Sequence, residues 1–374
     1  MNSQLYERYQ RQVILPELGE QGQQKLLQAK VLVIGAGGLG CPVLQYLVAA
    51  GVGTIGIVDD DVVALSNLHR QVLYSVADIG TSKAATAARV LSGLNPDINI
   101  IAHNARLTTD NALGLMDAFD IIVDGTDNFA TRYMINDACV LLDKPLVYGA
   151  ISQFEGQAAV FNYPSKKNGE RINYRDIFPH PPKEGEVLNC AEAGVLGVLP
   201  GIIGGFMANE TIKMITGIGE LLAGQLLIYN ALSNQVYTLK LTAGDNTRSL
   251  IPVDKAAFLQ TDYVWLCAAP HSDLEIDVHT FNELLANEKA ASVIDVREPG
   301  EMPMVTEFAT IKIPLGQLTD QMDLIQSDTV MLFCQSGKRS LQAANTLSGI
   351  FGNTKKIYSL KGGIVQWKKQ QPTV

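Results

Sequence analysis

Val31-Leu32-Val33-Ile34-Gly35-Ala36-Gly37-Gly38-Leu39-Gly40 runs from four consecutive apolar residues straight into a glycine-rich turn. A strand buried on both faces reads this way. Glycines at Gly35, Gly37, Gly38 and Gly40 allow a tight turn with close approach of the backbone to a ligand. A helix is predicted from about Leu39 to Ala50, so its N-terminus faces the turn and suits phosphate. Thr54 to Val58 is the next strand, and Asp59 at its end is placed for ribose hydroxyls. Alone, this stretch says only that a nucleotide binds, and a dinucleotide oxidoreductase stays open.

Outward from it, Ser82 opens a helix reaching about Leu94. Ile98–Ala102, Ile121–Val123 and Leu146–Tyr148 read as strands, with a helix over Ala130–Leu142. Strand and helix alternating in this way give an α/β fold whose sheet is mostly parallel. After Gly149 the pattern changes: Gln157–Asn162 and Gln225–Leu241 read as antiparallel strands around a helix over Gly204–Thr216. Tyr163 to Asn189 is a long aperiodic loop. Leu250 to Ser272 is an indistinct connector. A smaller α/β unit follows, with helices near Val278–Glu288 and Arg339–Ile350 and strands at Ser292–Val296, Val330–Phe333 and Lys355–Ser359. The expected division is 1–250, a connector over 251–271, and 272–374.

Composition narrows the class. The 374 residues fit two domains. Lys and Arg total 29 against 38 Asp and Glu, a net charge of -9, which argues against a nucleic-acid partner. The five cysteines, Cys41, Cys139, Cys190, Cys267 and Cys334, form no CxxC, excluding a disulfide framework and the usual thiolate zinc site. The apolar run Gly194–Ala208 is too short to span a bilayer and is broken by Pro200, so no membrane is involved. Met1 to Gln12 carries Glu7, Arg8 and Arg11 without an apolar core, so no signal peptide and a cytoplasmic location are expected.

Downstream of Asp59, three further stretches decide the chemistry: Ser66-Asn67-Leu68-His69-Arg70-Gln71, then Lys83, then Asp124-Gly125-Thr126-Asp127-Asn128 at a strand end. Arg70 and Lys83 suit a triphosphate, and Asp127 suits Mg²⁺. Two cations and a metal-holding acid fit nucleotidyl transfer, whose transition state gathers charge on phosphoryl oxygens. Hydride transfer needs none of them. By position alone, Lys83 reads as a surface lysine, Arg8 and Arg11 as solvated charges on a helix, and Asp60 and Asp61 as turn acids.

Together with Arg132 and Cys190-Ala191-Glu192-Ala193-Gly194-Val195, these motifs resemble the E1-like adenylyltransferases. The closest in pattern are the molybdopterin-synthase and thiazole-biosynthesis members (MoeB/ThiF), which activate ubiquitin-fold sulfur carriers. The resemblance covers roughly residues 4–245 and implies a Rossmann-like ATP-binding domain. It implies ATP contacts from the glycine turn, Asp59, Ser66, Asn67, Leu68, His69, Arg70, Lys83, Asp127 and Asn128, with Asp127 on magnesium. Arg11 matches a family arginine that reaches into a partner subunit, implying a homodimer. Cys190 matches a thiol that forms a thioester or resolves a mixed disulfide after adenylation. Most relatives hold zinc with two CxxC pairs. Here Asn173-Tyr174-Arg175-Asp176 and Leu241–Ser249 stand in their place without a cysteine, so no zinc is expected.

Cys334-Gln335-Ser336-Gly337-Lys338-Arg339-Ser340 follows an apolar strand and precedes a helix. Successive backbone N–H groups, the helix N-terminus, Lys338 and Arg339 all favour a thiolate or persulfide anion there. With Asp295-Val296-Arg297-Glu298-Pro299 and Leu360-Lys361-Gly362-Gly363-Ile364-x-x-Trp367, this resembles a rhodanese domain, although Glu301 to Ile313 departs from the usual histidine-containing stretch. The resemblance implies a persulfide on Cys334, loaded from a persulfide or thiosulfate donor. The combined expectation is adenylation of a sulfur carrier's C-terminal glycine followed by conversion to a thiocarboxylate, for molybdopterin or thiamin synthesis. A nucleotide-dependent oxidoreductase and a non-catalytic scaffold for a ubiquitin-like carrier are the alternatives.

Overall fold

A computed structural model describes residues 3–165, 169–182, 194–244, 247–268, 274–287 and 291–370. The chain forms two compact units, Met1–Cys267 and Ala268–Val374.

The first unit opens with α1 (Ser3–Val13) and α2 (Gly19–Gln28). It then alternates through β1 (Lys30–Ile34), α3 (Gly40–Ala50), β2 (Thr54–Val58), α4 (Lys83–Leu94), β3 (Asn99–His103), α5 (Thr109–Asp117), β4 (Ile121–Asp124), α6 (Phe129–Leu141) and β5 (Leu146–Ser152). β6 (Glu155–Phe161), α7 (Tyr174–Ile177), α8 (Leu199–Thr216), β7 (Gln225–Asn230) and β8 (Gln235–Lys240) follow. The sheet order is β3-β2-β1-β4-β5-β6-β7-β8, parallel as far as β5 and antiparallel beyond it. Fold class and strand types are those predicted. β1 pairs with β2 on one side and β4 on the other, Val31 opposite both Ile55 and Ile121. The chain's direction of winding reverses there, which opens a crevice beyond the carboxyl ends of β1 and β4.

Alternate residues of β1 feed opposite cores, which is why its sequence is apolar throughout. Val31 and Val33 face α3 and α8 with Leu44, Leu47, Ile203 and Met207. Leu32 and Ile34 face α6 with Ile122, Tyr133 and Tyr148. α8 starts earlier than the predicted Gly204, because Pro200 sits in its first turn, where a missing N–H costs nothing. Gly204 lets α8 close on α3: a β-carbon there would lie 2.4 Å from Pro42 Cγ.

The predicted connector contains structure. α9 (Lys255–Gln260), capped by Asp254, and α10 (Tyr263–Ala268) lie here, and Phe258 and Tyr263 belong to the first unit's core. Each helix is too short for an apolar period to stand out in sequence. The second unit comprises β9 (Glu275–Ile276), α11 (Val278–Asn287), β10 (Ser292–Asp295), β11 (Ile311–Lys312), β12 (Thr329–Phe333), α12 (Lys338–Phe351), β13 (Lys356–Leu360) and α13 (Gly363–Lys369). Its parallel sheet has the order β11-β10-β12-β13-β9. No described helix is long and apolar enough to cross a membrane.

Candidate active sites

The crevice at the ends of β1 and β4 is a cavity of about 840 Å³. Gly35 turns the chain at φ +92°, and a β-carbon on it would sit 2.7 Å from Gly125 O. Gly40 is tighter still, with only 1.9 Å between such a carbon and Gly35 O. These two glycines therefore set the shape of the turn, and Gly37 and Gly38 line the cavity. Asp59 braces the same turn. Its Oδ2 accepts from the Ala36 N–H at 2.7 Å and its Oδ1 from the Asp61 N–H at 2.9 Å. Burial pushes the Asp59 carboxyl above the usual range, opposed by those two N–H donors.

Lys83 begins α4 and is buried, its side chain only 6% exposed, which removes the surface-lysine reading. Its Nζ lies 2.8 Å from Asp61 Oδ2, and its N–H donates to Asp61 O. Both residues line the cavity with Asn67 and Arg70. Arg70 Nη1 donates to Ser66 O at 3.0 Å and lies 2.9 Å from His69 Nε2. Ser66, Leu68, His69 and Gly40 are not among the lining residues. Leu68 packs on the core and Gly40 lies beneath Gly35.

Asp127 and Asn128, after β4, also line the cavity. Asn128 Oδ1 caps α6 by accepting from the Thr131 N–H at 2.9 Å. Buried Asp124 accepts from the Thr126 N–H and hydroxyl, and Arg132 Nη2 donates to Thr126 O at 3.1 Å. Arg132 also stacks over Tyr148, 5.1 Å from the ring centre. This loop holds Asp127 exposed to the cavity, with no hydrogen bond or ion pair among the described residues. An unpaired carboxylate of this kind fits a hard divalent cation. The same cavity is lined also by Tyr148, Glu155, Gln157, Tyr174 and Phe178.

Arg11 lies elsewhere, exposed in the last turn of α1 and without a polar partner among the described residues. Arg8 is tied down, 3.3 Å from Asp97, and Tyr9 is buried beneath Gly51. Cys190 lies outside the described residues. Cys41 and Cys139 are buried free thiols, and burial pushes Cys41 up to about 12, as suits a packing residue.

In the second unit, Cys334 is fully buried at the end of β12, and its Sγ accepts from the Gly337 N–H at 3.2 Å. The start of α13 clamps this loop, since the N–H groups of Ile364 and Val365 donate to Cys334 O and Gln335 O. Buried Ser340 bridges Cys334 Sγ at 3.7 Å and Ser359 Oγ at 2.9 Å. Arg339 is not the open positive charge read from the sequence. Its Nη1 and Nη2 each lie 2.6 Å from a Glu301 carboxylate oxygen.

Residues 9–250 match the ThiF family, and residues 277–370 match the rhodanese-like domain. The chain belongs to the ThiF family. It is 43% identical to the probable adenylyltransferase/sulfurtransferase MoeZ of Mycobacterium tuberculosis (strain ATCC 25618 / H37Rv), over 97% of this chain and 93% of that protein. The sulfur carrier protein adenylyltransferase of Thermus thermophilus is 51% identical over 70% of this chain and 96% of its own length. The crystal structure of E. coli MccB with ATP shares the fold, with a TM-score of 0.55 at 20% identity over 66% of this chain and 74% of that one. This ThiF-family chain is an enzyme, an adenylyltransferase joined to a sulfurtransferase domain.

At the two candidate sites several residues take roles that their motifs do not show. Asp61 is the ion-pair partner of Lys83, although the sequence marks it only as one of three adjacent acids. Arg132 and Asp124 brace the Asp127 loop, and Glu301 holds the loop arginine beside Cys334. Glu301 opens the stretch that departs from the usual histidine-containing pattern, but that departure does not single it out as the partner of Arg339.

Proposed function

We propose that the first unit adenylates the C-terminal glycine carboxylate of a ubiquitin-fold sulfur carrier and that Cys334 then supplies sulfur to make a thiocarboxylate. The observation that carries this reading is one cavity that holds the glycine turn, buried Lys83, Arg70 and unpaired Asp127 together. The carrier carboxylate attacks the α-phosphorus of ATP, and pyrophosphate leaves with the electron pair of the broken bond. The carboxylate is its own nucleophile, so the residues supply position and charge more than a base. The glycine turn, Asn67 and Arg70 hold the phosphates, Lys83 neutralises developing charge, and Asp59 receives ribose hydroxyls. Asp127 would hold magnesium, which supplies further positive charge to the triphosphate.

The terminal sulfur of a Cys334 persulfide then attacks the acyl carbon and expels AMP. Thiol attack by Cys190 on the resulting acyl disulfide, at Cys334 Sγ, releases the thiocarboxylate and leaves a Cys190–Cys334 disulfide for a cellular dithiol to reduce. Exposed Arg11, with exposed apolar Leu65, Val72 and Val76, supports a homodimer in which Arg11 completes the partner's site. No zinc is needed in this reading, because Asp176 joins its own segment to Gly244 and Thr247 by hydrogen bonds. The chemistry suits carriers of molybdopterin or thiamin synthesis in the cytoplasm.

Intact mass spectrometry of candidate carriers, incubated with the protein, MgATP and a persulfide donor, tests this. A sulfur-for-oxygen mass gain at the carrier C-terminus is expected. Pyrophosphate release without that gain on any carrier would overturn the sulfur step, and no release with any carrier would overturn the adenylation.

A further inference from the structure

Residues 301–304 form a strap tied to the Cys334 loop and its surroundings. Glu301 takes both terminal nitrogens of Arg339 at 2.6 Å. Arg297 Nη1 donates to Pro303 O at 2.8 Å, Gln335 Nε2 to Met302 O at 3.3 Å, and Lys368 Nζ to Met304 O at 2.6 Å. Arg297 is itself paired bidentately with Asp295, at 2.8 and 2.7 Å. Each of these two guanidinium groups is therefore matched by one carboxylate. The strap turns the side chains of Met302 and Met304 outward, 63% and 60% exposed.

We propose that Glu301 is a specificity-determining residue of the sulfur-transfer site: by occupying Arg339 it disfavours dianionic sulfur donors and leaves Cys334 to donors whose sulfane sulfur is carried by an uncharged group, such as a protein persulfide. The inference rests on the reading of Cys334 as a sulfur carrier.

The two donor classes make different electrostatic demands. With thiosulfate, the Cys334 thiolate attacks the outer sulfur, the S–S bond breaks, and sulfite leaves as a dianion with the bonding pair. That departure needs an uncompensated cation beside the loop, and a planar guanidinium suits an oxyanion best. With a persulfide R–S–SH, the thiolate attacks the terminal sulfur and R–S⁻ leaves, while the proton stays on the transferred sulfur. One negative charge enters and one leaves, so no extra cation is required. Arg339 holds Glu301 at about 2, so the carboxylate stays ionised throughout any neutral assay. The exposed methionines offer apolar, adaptable contact to a macromolecular donor.

The test compares two donors on the full-length chain: thiosulfate, and the persulfide of N-acetylcysteine methyl ester, which carries no fixed charge. Transfer to cyanide reads kcat and KM, and intact mass reads sulfur on Cys334. Glu301→Gln frees Arg339 to donate to the dianion, so kcat/KM for thiosulfate rises about tenfold, mainly through KM, and the gain shrinks with added salt. The persulfide reacts through its protonated S–SH form and releases only a monoanion, so its rate changes less than about twofold. Glu301→Asp keeps the carboxylate and restores the original preference. Parallel changes with both donors, or an unchanged preference in Glu301→Gln, would reduce Glu301 to a structural role and overturn the inference. If Cys334 of the parent chain gains sulfur from neither donor, the sulfur-carrier reading itself falls.

Discussion

Replacing Arg175 by leucine tests what holds the wall of the nucleotide cavity. Arg175 and Asp137 are buried together, their side chains 3% and 0% exposed. Arg175 Nε and Nη2 each donate to an Asp137 oxygen at 2.7 Å. Asp137 also accepts from the Tyr263 hydroxyl at 2.9 Å and from Asn136 Nδ2 at 3.1 Å. One residue cluster thus joins α6, α7 and α10. Removing one partner of a buried ion pair costs about 3–5 kcal/mol, because the other charge stays buried without compensation. The two remaining donors to Asp137 place Arg175→Leu at the lower end, about 3 kcal/mol. For a unit of this size that lowers its melting temperature by roughly 6–12 °C.

Calorimetry of the full-length chain, following the first unit's transition, gives the shift. The double replacement Asp137→Asn, Arg175→Leu removes the stranded charge and recovers most of the loss, which a double-mutant cycle reads as coupling. A single-mutant shift below about 2 °C, or a double mutant no more stable than Arg175→Leu, would refute the reasoning. Function follows the same contact. Tyr174 and Phe178, on either side of Arg175, line the cavity, so Arg175→Leu also raises KM for ATP in pyrophosphate exchange at temperatures where the protein stays folded.

Other outcomes follow from single contacts. Gly40→Ala drives a methyl group into Gly35 O, and nucleotide binding measured by calorimetry is lost together with stability of the first unit. Lys83→Met lowers ATP–pyrophosphate exchange by at least about 100-fold, whereas Asp61→Asn changes it only about two- to fivefold, since the Asp61 side chain is 71% exposed and its pairing is screened. Glu301 is lowered from 4.5 to about 2, chiefly by its hydrogen bonds to Arg339. Its contribution to stability is therefore complete above pH 4.5 and is lost as pH falls towards 2; the stability gap between the parent chain and Glu301→Gln, read by urea denaturation, narrows across that window. Elemental analysis of protein purified without chelator finds zinc far below one atom per chain, and stoichiometric zinc would overturn the hydrogen-bonded account of Asp176 and Thr247.

Local chemistry made much of this protein legible in its sequence. A four-residue apolar run ending in glycines has few physical solutions, and alternation of strand and helix periods determines a mostly parallel sheet. The Gly-rich turn and Asp59 stand out because a strand-turn-helix with an acid at the next strand's end suits a nucleotide, whereas Asn67, Arg70, Lys83 and Asp127 stand out as a set only through the family resemblance. Cys334 is legible as a thiol between a strand and a helix N-terminus. What the sequence left undecided is the state of each charge, because ion pairing depends on residues brought together from distant positions. Lys83 reads as a surface residue until the turn after β2 folds Asp61 against it. Arg339 reads as an open cation until Glu301, 38 positions earlier, closes on it. Asp137, Arg175 and Tyr263 carry no motif, and the predicted connector hides two short helices whose burial is supplied by the first unit's core. Local spacing selects the elements and the reactive groups; only tertiary packing decides which of those groups are neutralised, buried or left open to a ligand, since Coulombic and burial energies depend on distance in space.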